Sequence, residues 1–182
     1  SRETFLQSQG VNLRGDRPIG RRVALFAEGG WTREDYSGTA ENPSASGRSG
    51  DRVTASFGGR LLLTQTLQLG TEVDYTHKDV LKAVPHYAYQ GFAVTHSLTW
   101  LLGKGQFLLP AITYGANSYD APDTTVSART RRDKQLRVRV TYGAPVELFI
   151  GGWLPDAVLK HLTAAFSFEQ FRSLSNITNY TY

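Results

Sequence analysis

Apolar and polar residues alternate along most of this chain with a period of two. The longest run reads QLRVRVTYGAPVELF: Leu136, Val138, Val140, Tyr142, Ala144, Val146 and Leu148 fall on one face, and Arg137, Arg139, Thr141, Gly143 and Glu147 on the other. A β-strand sends successive side chains to opposite faces, so such a run predicts a strand with one apolar and one charged surface. Eight segments read this way: 5–14, 21–36, 52–63, 67–78, 87–102, 106–119, 135–149 and 161–172. The first is the faintest. Helical periodicity competes only in LPDAVLKHL (154–162), where Pro155 and Asp156 suit the start of one helical turn.

The connections narrow the fold. RPIG (17–20), LTQT (63–66), LGKG (102–105) and the stretch 150–160 read as the shorter turns. Between them lie 37–51, 79–86 and 120–134, rich in Ser, Gly, Pro, Asp and Thr. Short turns at one end and long polar loops at the other are the habit of outer-membrane barrels. The expected fold is therefore all-β: an antiparallel transmembrane β-barrel of outer-membrane type, with about eight strands present in a single domain spanning 1–182. Lipid allows no open sheet edge, because backbone groups there find no partner. The first strand ends in a short turn and the eighth in the polar tail SLSNITNYTY, so strand parity puts both ends of the chain outside the cell. On that reading the chain is a segment of a larger barrel, with strands missing at both ends.

The alternation also divides the residues between two environments. Val23, Leu25, Phe57, Leu69, Val73, Val94, Leu98, Val138, Val140 and Phe166 are expected to face lipid. Arg60, Glu72, Asp74, Lys78, Arg137, Arg139, Glu147 and Glu169 are expected to line a polar lumen, with small residues such as Gly58, Gly70 and Gly143 leaving room inside. Trp31, Tyr75, Tyr87, Trp100, Tyr142 and Trp153 suit aromatic girdles at the two interfaces.

Composition changes this picture little. Hydrophobic residues make up 40% of 182, a value that hides barrel strands, because half of each strand is polar. The net charge of +4 is spread over loops and strand faces without an aromatic-laced stripe, which argues against nucleic acid. It suits lipid and lipopolysaccharide phosphates instead. Arg129, Arg131 and Arg132 form a basic loop run, read as a solvated or lipopolysaccharide-contacting edge.

Candidate chemistry is sparse. The chain has no cysteine, and His77, His86, His96 and His161 lack the spacing of metal ligands, so no metal and no cofactor is expected. His96 falls on the apolar face beside Ser97, an arrangement reminiscent of barrel-exterior lipases, yet no Gly-x-Ser-x-Gly elbow accompanies it. Glu72 and Asp74 share a face two residues apart, and Arg60 on the neighbouring strand is the expected neutralising partner. GGRLLLT (58–64) lacks the Lys-Ser/Thr of a phosphate loop. The expectation is a non-enzyme.

One stretch carries a family resemblance. RRDKQLRVRVTYGAPVELFIGG followed by LKHLTAAFSFEQFRSLSNITNYTY resembles the end of the barrel in the surface lipoprotein assembly modifiers, the Slam-type proteins. The matching positions are Arg131, Arg132, Asp133 and Lys134, then Ser175, Asn176, Ile177, Tyr180 and Tyr182. The resemblance implies a bacterial outer-membrane conduit that assists export or surface display of a lipoprotein or secreted client, partnered by a periplasmic tetratricopeptide-repeat domain. The final strand and the repeats of that family are not in this sequence. A passive porin or polysaccharide-export channel is the alternative, and an outer-membrane hydrolase the third reading.

Overall fold

The computed structural model describes residues 5–38, 45–81, 84–150 and 162–178. Eight strands form one antiparallel sheet in which every strand pairs with its sequence neighbours, in the order β1 to β8. They are β1 (Leu6–Ile19), β2 (Val23–Tyr36), β3 (Gly50–Leu62), β4 (Leu67–Val80), β5 (Tyr89–Gly103), β6 (Gln106–Tyr119), β7 (Arg132–Pro145) and β8 (Thr163–Ser175). All eight expected strands are present. A short helix, α1 (Glu147–Ile150), follows β7.

The register shows why the alternation was so regular. Partners across each ladder share a face, so one outward row runs Val73, Val94, Tyr114, Leu136 across β4 to β7. Among the described residues, no second layer covers this face. Phe57 is 59%, Phe92 58%, Phe166 62% and Phe168 66% exposed. Rings this open in a regular sheet require an apolar solvent. On β4 the outward apolar stretch 67–75 matches the roughly nine to eleven residues that a tilted strand needs to cross hydrocarbon. Trp31 and Tyr75 stand towards its long-loop edge, and Trp100 and Tyr142 towards its short-turn edge. Tyr87 lies instead in a 3-10 turn, Pro85–Tyr87, off the sheet. Trp153, His161 and the helical stretch expected at 154–162, apart from Leu162, lie outside the described residues.

Two strand ends differ most from expectation. β1 continues to Ile19, past Arg14, which points inward with Asp16 and binds both Asp16 and Glu28, so most of the RPIG stretch read as a turn is still strand. β7 stops at Pro145, after which the N–H groups of Phe149 and Ile150 both bind the Val146 carbonyl and wind the chain into α1. The alternation through Val146 and Leu148 therefore does not extend the strand. The connection 146–162, read as compact, is also the longest between strands.

The other three turns at that end are short. The tightest is the β5–β6 hairpin, where Lys104 (φ 49°) and Gly105 (φ 74°) are both left-handed, as a two-residue turn matching sheet twist demands.

Candidate functional site: the inward face and its loop-end cavity

The inward face changes chemistry as it crosses the sheet. On β1 to β4 it is dense with charge. The Arg14 guanidinium lies 4.2 Å from the centre of the Phe26 ring and 3.2 Å from Glu28, which also accepts from the Asn12 amide. Arg60 approaches the same ring at 5.9 Å. On β5 and β6 charge disappears: Thr95 and Thr113 share a hydrogen bond of 2.9 Å among alanine and glycine neighbours. Charge returns on β7 and β8, where Arg137 lies 3.5 Å from Glu169 and stacks 5.4 Å from Phe171.

Of the residues expected to line a lumen, the register puts Arg60, Glu72, Asp74, Lys78, Arg137, Arg139 and Glu169 on this one face. Glu147 does not join them, because it sits in α1 beyond the end of β7. All ten residues expected to face lipid (Val23, Leu25, Phe57, Leu69, Val73, Val94, Leu98, Val138, Val140 and Phe166) share the opposite face.

Their engagements are less simple. Arg60 pairs in register with Gly70, one step from Glu72, and its closest described partner is the Phe26 ring; Asp74 instead accepts from the Ser56 hydroxyl at 2.6 Å. Lys78 is buried and tied to Glu34 at 2.7 Å. The inner glycines do not simply open space. Phe26 folds over Gly58 and Phe107 over Gly143, each its register partner, so that a Cβ on either glycine would strike the ring. Gly70 faces the Ser97 hydroxyl.

At the long-loop end the inward face closes around a cavity of about 300 Å³. Tyr89 and Tyr119, register partners on β5 and β6, form part of its wall, with ring centres 5.4 Å apart. Arg131 stacks on Tyr119 at 4.6 Å, and Arg48 on Tyr87 at 5.2 Å. Lys78 forms another side, its ammonium 5.0 Å from the Tyr36 ring and bound to Glu34, which Arg52 also reaches at 3.0 Å. The result is a basic, tyrosine-lined hollow whose ammonium and guanidinium groups are held in place by ring faces and carboxylates.

Sequence reasoning missed this cluster. Glu34 and Lys78 are 44 residues apart, on strands separated by β3, and only the three-strand register brings them together. The nearest signal was the family-like motif at 131–134 and 175–177. In the fold those two stretches meet: Asp133 pairs with Ser175, the Asn176 amide nitrogen donates to the Thr130 carbonyl at 2.9 Å, and its oxygen accepts from the Arg132 N–H at 2.7 Å. Ile177 is buried at the cavity's edge. Tyr180 and Tyr182 lie outside the described residues.

His96 stays on the outward face, where its Nδ1 lies 3.0 Å from the Thr71 hydroxyl. The two polar groups satisfy one another within the apolar belt. Among the described residues, no three His, Asp or Glu side chains come together as a metal site.

No family model matches the chain, and no curated protein matches it in sequence. In structure it is similar to OccAB4 of Acinetobacter baumannii, with a TM-score of 0.55 at 9% identity. The match covers 96% of this chain and 43% of OccAB4, so the chain spans less than half the length of that protein. Together with the bare apolar belt and the polar inner face, this likeness gives the chain the fold of an outer-membrane β-barrel, with eight consecutive strands of its wall.

Proposed function

We propose that the chain forms part of the wall of an outer-membrane conduit that assists export or surface display of a lipoprotein or related secreted protein. The observation that carries the conduit is the inward face. Hydrogen-bonding and charged side chains follow one another from Asn12 on β1 to Glu169 on β8, opposite an apolar belt that only lipid can solvate. Support for a protein client comes from the resemblance of 131–182 to Slam-type barrels. In its support, the matching residues at Asp133, Ser175 and Asn176 hold the β7–β8 rim beside the loop-end cavity. A periplasmic repeat domain is the expected partner. No catalytic role is assigned to His96, whose ring is engaged by Thr71.

A passive porin is the second reading, favoured by the likeness of the fold to OccAB4. Two measurements separate them. An exporter conducts ions poorly in a planar bilayer, and deleting its gene leaves a lipoprotein off the cell surface. Steady ohmic conductance with surface lipoproteins unchanged after deletion overturns the export reading in favour of the porin.

A further inference from the structure

The outward face carries a second charged feature that a conduit does not need. Arg132 and Lys134 on β7 and Arg172 on β8 all point outward: Lys134 lies opposite Leu174, and Leu136, two residues further along β7, lies opposite Arg172. All three are exposed. Residues two apart on a strand, or diagonal across a ladder, stand about 7 Å apart, so Lys134 lies next to both Arg132 and Arg172 and the three cations form a staggered row along the β7–β8 seam. Tyr114 and Leu136, level with Arg172, and Phe168 beyond it mark the upper limit of the apolar belt on these strands. The row therefore runs from the long-loop rim down to the edge of the belt, where lipid headgroups meet acyl chains.

Its surroundings leave it unneutralised. The outward positions of β6, β7 and β8 hold no Asp or Glu, and among the described residues these three cations make no salt bridge. Neighbouring Arg131 is spent on Asp133 and the Tyr119 ring. Asn176 binds the Arg132 N–H with its side-chain oxygen and the Arg132 carbonyl with its own N–H, which holds one end of the row in place. Ser118 and Gln170 flank it on the same face and offer hydrogen-bonding groups to sugar hydroxyls. The rim of β2 to β4 is the reverse. There Asp35, Asp51 and Asp79 face outward with Arg33, and Asp51 and Asp79 are direct register partners.

We propose that Arg132, Lys134 and Arg172 form a binding site on the barrel exterior for the phosphates of a phosphorylated glycolipid in the surrounding leaflet. Arginine forks grip phosphate oxygens in pairs while lysine adds a point charge, and the acyl chains descend over Leu136 and Phe168. The lipid is selected by charge complementarity on one flank of the wall, and the acidic flank repels it.

The test uses the full chain in detergent micelles, with diphosphoryl lipid A, dephosphorylated lipid A and phosphatidylethanolamine as probes and native mass spectrometry as the readout. Each lost cation weakens headgroup attraction about fivefold, so the triple alanine variant at these positions binds diphosphoryl lipid A on the order of a hundredfold more weakly. Lys134→Gln alone shows the single-charge step if the triple variant fails to fold. Equal binding by wild type and variants overturns the proposal. So does equal retention of the dephosphorylated lipid, or displacement by millimolar inorganic phosphate alone, which marks a free-anion site. None of these outcomes depends on whether the lumen exports protein or passes ions.

Discussion

The two ends of this wall are held by different physics. At the long-loop end the inward face is ordered by charge: Glu34 binds both Lys78 and Arg52, Asp133 holds Arg131, and cations lie on tyrosine rings. At the short-turn end of β5 to β7 it is ordered by shape, with Leu101 and Leu109 facing inward and the Phe107 ring laid on Gly143. The connections explain the difference. A two-residue turn such as Lys104–Gly105 sets the register of its strands by itself. A twelve-residue loop such as 120–131 leaves its strand ends to find each other, so side chains must join them across the sheet.

The comparison breaks most visibly at Glu34. Glu34→Ala leaves Lys78 and Arg52 buried or half-buried without their carboxylate, a class of loss that costs about 3–5 kcal/mol. Urea unfolding in lipid vesicles measures it, and a change below 1 kcal/mol would mean that water already screens the loop end.

The turn end answers to packing instead. Gly143→Ala drives a methyl group into the Phe107 ring and costs about 1–3 kcal/mol by overpacking. Adding Phe107→Ala recovers part of that loss, and two effects that simply add in the double-mutant cycle would remove the ring from the account.

Smaller effects test the loop end's outer seam and the tightest turn. Asn176→Ala removes two hydrogen bonds to the 130–132 backbone and costs about 1–2 kcal/mol, read as faster proteolysis within 120–131. Lys104→Asn relieves a left-handed backbone and stabilises by about 0.5 kcal/mol, visible as a slightly higher urea midpoint.

The same contrast governs what could be read from the chain. The outward face was legible across its apolar belt, because lipid imposes one requirement on belt positions such as Val23, Val73, Val138 and Phe166. The inward face obeys no such uniform demand. Arg17, Pro18 and Ile19 read as a turn, yet they continue β1 beyond Arg14, whose inward charge finds Glu28 across the ladder. Beyond Pro145 the alternation ran on into a helical turn, which cost Glu147 its expected place. Tyr87 looked like a girdle residue, yet it lies off the sheet and lines the loop-end cavity. That cavity was hidden for a simpler reason. Its partners, such as Glu34 with Lys78 or Asn176 with Thr130, come from distant strands and loops, and only the assembled register brings them together.

The rings over Gly58 and Gly143 also bear on how the wall assembles. A slip of two residues between neighbouring strands keeps every side chain on its proper face, so the lipid cannot reject it. It does move each ring. Phe26 would land on Ser56 or Arg60 instead of Gly58, and Phe107 on Thr141 or Pro145 instead of Gly143. Each glycine then acts as a keyhole that admits its ring at one alignment only. Errors to which the membrane is blind are proofread from inside the barrel as its hairpins zip together.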